Sequence, residues 1–85
     1  MEDKVNHPKH YTNGKVECIV AIEAATEGLV GIAAVCTANI LKYMWRWKLK
    51  NGLEDLRKAR WYLDYLITHE EVECNERKRI SKPGL

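Results

Sequence analysis

The chain has 85 residues and carries 14 basic and 12 acidic side chains, a net charge of +2. This length suits one small domain and excludes the large, multi-lobed enzyme folds. The longest stretch without a charged side chain, residues 28–41, is too short to span a bilayer. The near balance of charge makes no strong case for binding nucleic acid or a membrane surface.

The cysteines and the first residues indicate a cytoplasmic protein. Cys18, Cys36 and Cys74 are odd in number and widely spaced, and residues 1–4 lack the apolar segment of a signal peptide. We therefore expect reduced thiols rather than disulfides. No pair of cysteines has the spacing of a zinc site, so the sequence predicts neither a metal nor another cofactor.

Three segments are predicted in chain order. Residues 1–14 are polar, and Pro8 together with the turn signal at residues 13–14 predicts an ordered N-terminal arm rather than a helix. Residues 15–69 show the apolar periodicity of helices and form the predicted helical domain. Residues 70–85 are nearly all charged and form a C-terminal extension, either solvated or paired with another subunit.

The helical domain divides into three helices, which predicts a small all-α fold. The first covers residues 15–27 and ends at a break bracketed by Gly28 and Gly31. The second covers residues 32–49, and the third runs from residue 53 to about residue 78. Because only a short turn separates the second and third helices, we expect them to form an antiparallel hairpin.

Apolar side chains at helical spacing define the expected core. The stripe on the second helix is Ile32, Cys36, Ile40, Tyr43, Met44 and Trp47. The stripe on the third helix is Leu53, Leu56, Ala59, Leu63, Leu66 and Ile67. Gly52 suits a left-handed position that ends the second helix, and Asn51 is expected to cap the third helix together with Glu54. Trp45 and Trp61 lie off both stripes and suggest a contact between copies, so we expect a homo-oligomer.

Two rows of polar side chains predict a binding groove. The row on the second helix is Asn39, Lys42, Arg46 and Lys50, and the row on the third helix is Asp55, Lys58, Tyr62 and Tyr65. In an antiparallel hairpin both rows can face one groove, which would be cationic, with aromatic walls and one carboxylate. Such a groove suits a phosphate joined to a flat base. The simpler interpretation is that both rows are solvated helix faces.

The N-terminal arm contributes a candidate lid. His10 and Tyr11, close to His7, could donate hydrogen bonds to a phosphate or a base across the groove. Alternatively, the arm packs its rings on the first helix or on a neighbouring subunit.

Three blocks of the sequence resemble the SaV-like phage protein family, small proteins of unknown function from tailed phages and prophages. The blocks are His7-Pro8-x-His10-Tyr11-x-x-Gly14-x-x-Glu17-Cys18-Ile19, Asn39-x-x-Lys42-Tyr43-x-x-Arg46 and Lys50-Asn51-Gly52-x-Glu54-Asp55-Leu56-x-Lys58-Ala59-x-Trp61-Tyr62-Leu63. A related domain occurs in a coliphage nucleotide kinase that lacks a P-loop, so the resemblance implies nucleotide chemistry or nucleotide binding. It assigns recurrent polar positions to His7, His10, Tyr11, Asn39, Lys42, Arg46, Lys50, Asp55 and Lys58. Many members have Gly where this chain has Ala38, a departure that puts close approach of a ligand to that helix in doubt.

These features lead to three functional hypotheses. The first is a phage-encoded accessory protein that binds a nucleotide or nucleotide-like signal, for example to sequester a host defence signal in the cytoplasm of an infected or lysogenic bacterium. Lys42, Arg46 and Lys50 would hold phosphates, and Tyr62 with His10 and Tyr11 of the arm would hold the base or sugar. Asn39 and Asp55 would read polar edges of the ligand. The second is an enzyme, either a nucleoside monophosphate kinase without a P-loop or another enzyme of nucleotide metabolism. In the kinase, Lys42, Arg46 and Lys58 would clamp phosphates and Asp55 would hold magnesium. The third is an inhibitor that contacts a host enzyme through Trp45 and Trp61.

Overall fold

The computed structural model describes residues 16–80, with side chains described for residues 16–77. Its helices are α1 (Cys18–Thr26), α2 (Gly31–Arg46) and α3 (Leu53–Ile80), and a short 3₁₀ turn follows α2. The described part of the chain has no strand, which confirms the all-α prediction. The predicted N-terminal arm lies outside the described residues.

Glycines set the two breaks between helices, as the sequence predicts. Gly28 has a φ of +82° and Gly31 a φ of +61°, so the connection between α1 and α2 passes through conformations that other residues rarely adopt. Gly52 has a φ of +58°, and its N–H donates to the carbonyl of Trp47 at 2.7 Å. The α-helical part of α2 ends at Arg46, earlier than predicted, and the 3₁₀ turn Trp47–Leu49 carries the chain on to Gly52.

Asp55, rather than Glu54, accepts the hydrogen bonds of the turn that precedes α3. The Asp55 carboxylate accepts hydrogen bonds from the backbone N–H of Asn51 at 3.3 Å and from the Asn51 side-chain amide at 3.2 Å. Glu54 instead pairs with Lys58 at 3.4 Å on the helix surface. The expected cap formed by Asn51 and Glu54 is therefore wrong in both members, because the Asn51 side chain donates to Asp55 instead of accepting from α3 and Glu54 pairs with Lys58.

Contacts between α2 and α3 run in opposite order along the two helices. Arg46 near the end of α2 meets Asp55 near the start of α3, and Tyr43 stacks on Tyr62 one to two turns further along. At the far end, Ala33 and Glu73 line the same cleft. The pairing positions the polar residues of both helices at the end of the hairpin nearest the turn.

The face of α3 that meets α2 is rotated from the predicted apolar stripe. Ala59 is buried as expected, but Leu53, Leu63 and Ile67 are exposed. The buried polar pair at Asp55 explains this rotation, since it turns the start of α3 so that the Asp55 side of the helix faces α2.

The core of the described chain is small. Its buried apolar side chains are Cys18, Cys36, Tyr43 and Ala59, and Met44, expected in the core, is 48% exposed. α3 continues through the predicted boundary at residue 70 as far as Ile80, so the charged segment extends the same helix. None of the helices within residues 16–80 combines the length and apolarity needed to cross a membrane.

Candidate functional site

A buried ion pair joins the two rows of predicted site residues. Arg46 donates from Nε to one carboxylate oxygen of Asp55 and from Nη2 to the other, both at 3.3 Å. The Asp55 side chain is fully buried, and that of Arg46 is 9% exposed. With the two bonds from Asn51, the carboxylate accepts four hydrogen bonds from its own chain. Asp55 thus fixes the guanidinium of Arg46 and joins the end of α2 to the start of α3.

The surroundings of Asp55 keep it ionised. Burial by itself would raise the pKa of Asp55, because it removes water from the charged form. The hydrogen bonds from Asn51 and Arg46, with the positive charge of Arg46, outweigh that effect and lower the pKa below its ordinary value. The pair is therefore charged at neutral pH.

Three cations surround the ring of Tyr43. The Lys42 ammonium lies 4.7 Å from the ring centroid, the Arg46 guanidinium carbon 5.0 Å and the Lys58 ammonium 5.7 Å. These distances are within the range of cation–π attraction. Lys42 and Lys58 are half-buried, and the side chain of Lys58 is 41% exposed.

Tyr62 extends this group on the α3 side. Its ring stacks on Tyr43 with centroids 6.1 Å apart and planes 22° apart. Lys42, Tyr43, Arg46, Lys58 and Tyr62, held by Asp55, are called the Tyr43 cluster below. Tyr65, predicted on the same aromatic wall, instead stacks on Trp61 at 5.5 Å.

The remaining predicted residues have other positions. Asn39 lies on α2, and its side-chain amide donates to the carbonyl of Val35 at 2.9 Å. Lys50 is exposed in the turn between α2 and α3. His7, His10 and Tyr11 lie outside the described residues.

Tyr43 was missed as a site residue because its place on the apolar stripe predicts only a core role. It is buried as that stripe requires, yet its ring is the surface on which the three cations meet. The signal available in the sequence is its position directly after Lys42 and three residues before Arg46. A tyrosine on the apolar stripe, with a cationic residue directly before it and another three residues after it, can contribute both to the core and to a binding site.

Cys18 lies at the start of α1, close enough to Lys42 for the positive charge of Lys42 to affect the pKa of its thiol. Burial raises the pKa of the Cys18 thiol, and the positive charge of Lys42 offsets only part of that rise. Cys18 as a whole is 3% exposed. It therefore remains protonated at neutral pH and serves packing rather than nucleophilic chemistry.

A separate group on α3 has side chains of the kinds that bind metals. Potential ligand atoms of His69, Glu70 and Glu73 lie within 4.8 Å of one another. His69 Nδ1 is 3.7 Å from a carboxylate oxygen of Glu70, and His69 Nε2 is 3.9 Å from one of Glu73, both longer than a hydrogen bond. His69 is half-buried, Glu70 and Glu73 are exposed, and His69 lies about two turns along α3 from Tyr62.

Comparison with known protein families gives a match over most of the chain. A family model described as protein of unknown function, DUF3310, matches residues 5–64. The match includes every member of the Tyr43 cluster and ends before His69. No curated protein and no solved structure matches the chain.

Proposed function

The chain belongs to the DUF3310 family, whose function is unknown, and we propose that it binds a nucleotide or a nucleotide-like anion at the Tyr43 cluster. The observation that carries the proposal is the set of three cations at 4.7–5.7 Å from one tyrosine ring. Grouping three like charges opposes folding unless an anion offsets them. Asp55 offsets one of them, and the exposed Glu54 offsets Lys58 only weakly.

The ammonium groups of Lys42 and Lys58 are the groups that would contact phosphate. Each carries a compact positive charge with three donors, which suits a phosphate oxygen. Within residues 16–80 no salt bridge is found for Lys42, so its charge is available to a ligand. Arg46 is paired with Asp55, so the two lysines carry the positive charge that is left for a ligand.

Tyr62 would support the base of the nucleotide. It is half-buried beside Tyr43, at the α3 side of the cations. Stacking of a base on an aromatic side chain contributes about 1–3 kcal/mol and tolerates different bases. The cluster therefore suits recognition of a phosphate next to a flat ring better than recognition of one base sequence.

A binding function fits these residues better than the kinase alternative. In that alternative Asp55 holds magnesium, but both of its oxygens already accept hydrogen bonds from Arg46 and Asn51. A carboxylate has about four acceptor sites, and four donors occupy them here. We therefore propose binding without turnover, and binding that does not depend on magnesium.

The biological setting is part of the same proposal. The resemblance of the sequence to small phage proteins supports a phage-encoded protein that acts in the cytoplasm of an infected or lysogenic bacterium. There it would sequester a nucleotide signal of host defence, a task that needs affinity and no catalysis.

We also propose that the protein works as a homo-oligomer. Only four apolar side chains of the described chain are buried, whereas large apolar side chains on all three helices are more than one-third exposed. A single copy of so short a chain would bury little of its apolar surface, and a second copy would bury more.

A thermal-shift screen of the purified protein tests the binding function. Nucleoside mono-, di- and triphosphates and cyclic dinucleotides would each be added with and without magnesium. A ligand at about 100 times its dissociation constant adds about 2.7 kcal/mol of stability, a rise of roughly 11–22 °C in a domain of this size. We expect such a rise for at least one nucleotide class in the absence of magnesium.

Variants of the cluster lysines locate the site. Lys42→Gln and Lys58→Gln should reduce the shift, because each removes a charge from the phosphate contact. Lys48→Gln is the matched control, since Lys48 also lies over an aromatic ring, that of Trp47 at 5.6 Å, but outside the cluster. A shift lost equally in all three variants, or found only with magnesium, would contradict the proposal.

A further inference from the structure

A cleft of about 700 Å³ lies between the α1–α2 connection and α3. Residues 28–33 and Thr37 line one side of it, and α3 lines the other with Leu66, His69, Glu70 and Glu73. The first side has no charged residue, whereas the α3 side has two carboxylates next to an imidazole. Among the described residues that line the cleft, none is Lys or Arg. The cleft is therefore acidic on its α3 side.

The carboxylates of this cleft have little positive charge to balance them. The first turn of α2 faces the cleft at residues 31–33, and a helix start carries about half a positive charge. Glu70 and Glu73 together carry two negative charges and lie on neighbouring positions of α3, where like charges oppose the helix. Arg77, one turn beyond Glu73, is not among the residues that line the cleft. A bound cation would supply the missing charge.

The spacing of the three polar side chains suits a single metal ion. His69 and Glu73 are four residues apart, so they lie on the same side of α3. One potential ligand atom from each of His69, Glu70 and Glu73 lies within 4.8 Å of the other two. Tetrahedral zinc, with bonds of about 2.0–2.2 Å, holds its ligand atoms roughly 3.3–3.5 Å apart. Small rotations of the two exposed glutamate side chains would bring the three atoms to that spacing.

His69 makes no hydrogen bond that would give it a purely structural role. Its Nδ1 atom is shielded from solvent and has no hydrogen-bond partner among the described residues. Nδ1 lies 3.7 Å from Glu70 and Nε2 lies 3.9 Å from Glu73, so both carboxylates are near the ring without bonding to it. Shielded polar atoms in proteins nearly always have a partner. The imidazole therefore lacks a contact that an ion between it and the carboxylates would provide.

We propose that His69, Glu70 and Glu73 bind a zinc ion at this cleft, with water completing the coordination. One imidazole nitrogen with two carboxylate oxygens is a ligand set that zinc accepts, whereas magnesium and calcium take oxygen ligands. Three protein ligands leave a position open towards the cleft. The site lies beyond residue 64, where the family match ends, and it does not depend on whether the Tyr43 cluster binds a nucleotide.

Zinc titration of the full chain tests the site. The protein would be stripped of metal, kept reduced and titrated with zinc chloride in competition with a chromophoric chelator. Wild type should bind one zinc ion per chain, and His69→Gln and Glu73→Gln should each bind at least about tenfold more weakly. Glu71→Gln is the matched control, because Glu71 is exposed on the same helix but is not in the group. A wild type that binds no zinc overturns the proposal, as does equal weakening in Glu71→Gln.

Two further arms identify the ligands and the class of metal. Cys74 follows Glu73 in the chain and is half-buried, and a thiolate is itself a zinc ligand. Cys74→Ser should bind zinc as wild type does; zinc binding lost in Cys74→Ser but kept in His69→Gln overturns the proposal. Excess magnesium should not displace zinc, and displacement would overturn the role of the imidazole. Circular dichroism should show wild-type helix content in every variant, because the substituted side chains are exposed or half-buried.

Discussion

The buried pair of Arg46 and Asp55 gives the strongest prediction about stability. Asp55→Asn keeps the shape of the side chain but removes its charge. The new amide NH₂ group would also face N–H donors, where the wild-type carboxylate oxygen accepts their hydrogen bonds. Removing one partner of a buried ion pair costs about 3–5 kcal/mol. All four bonds to Asp55 measure 3.2–3.3 Å, longer than a strong charge-assisted bond. We therefore expect the lower end of the range, about 3 kcal/mol.

Thermal denaturation followed by circular dichroism at pH 7 measures this cost. A loss of about 3 kcal/mol corresponds to a fall in melting temperature of roughly 12–24 °C for a domain of this size. Asp64→Asn is the control, because Asp64 is exposed on the same helix and its loss should change stability by less than about 0.5 kcal/mol. If Asp55→Asn melts within about 2 °C of wild type, the pair does not hold the two helices together and the reasoning fails.

Three further predictions follow from the same geometry. The difference in the free energy of unfolding between wild type and Asp55→Asn should be constant near neutral pH and should shrink as the pH falls below about 4. The reason is that the Asp55 carboxylate has a lower pKa in the folded protein than in the unfolded chain, so the unfolded chain takes up the proton first. Urea denaturation measures the difference, and a difference that grows in acid would refute this. Ellman's reagent at pH 8 should modify Cys74 well before Cys18, whose thiol is buried and has a raised pKa; equal rates would contradict that burial. Gly52→Ala should destabilise the protein by about 1 kcal/mol in chemical denaturation. The position has open space around it, but its left-handed φ of +58° is strained for any residue with a side chain. An unchanged denaturation midpoint would count against that conformation.

The helices and their breaks were predictable because each depends on local signals. Gly28, Gly31 and Gly52 adopt the positive φ values that glycine favours, and apolar spacing marks the helices between them. The face that α3 turns to α2 was not predictable from that spacing. A single buried carboxylate, Asp55, fixes the rotation, and a lone Asp in the first turn of a helix more often lies at the surface.

The candidate site was predicted in part for a related reason. Spacing along α2 and α3 brought Lys42, Arg46 and Lys58 to the same end of the hairpin, where the structure also has them. Spacing alone does not show that Arg46 and Asp55 face each other, so both were expected to face a ligand. Burial in the structure distinguishes these residues, because the ion pair of Arg46 and Asp55 is buried whereas Lys42 and Lys58 are only half-buried.

Isothermal titration calorimetry of wild type and Lys42→Gln with the nucleotide that gives the largest thermal shift tests the central claim most directly. Without magnesium, wild type should bind with a measurable heat and a single class of sites, and Lys42→Gln should bind at least about tenfold more weakly, the loss expected for one hydrogen bond to a charged group. If Lys42→Gln binds as tightly as wild type, or if wild type shows no binding to any nucleotide tested, the Tyr43 cluster is not a nucleotide site.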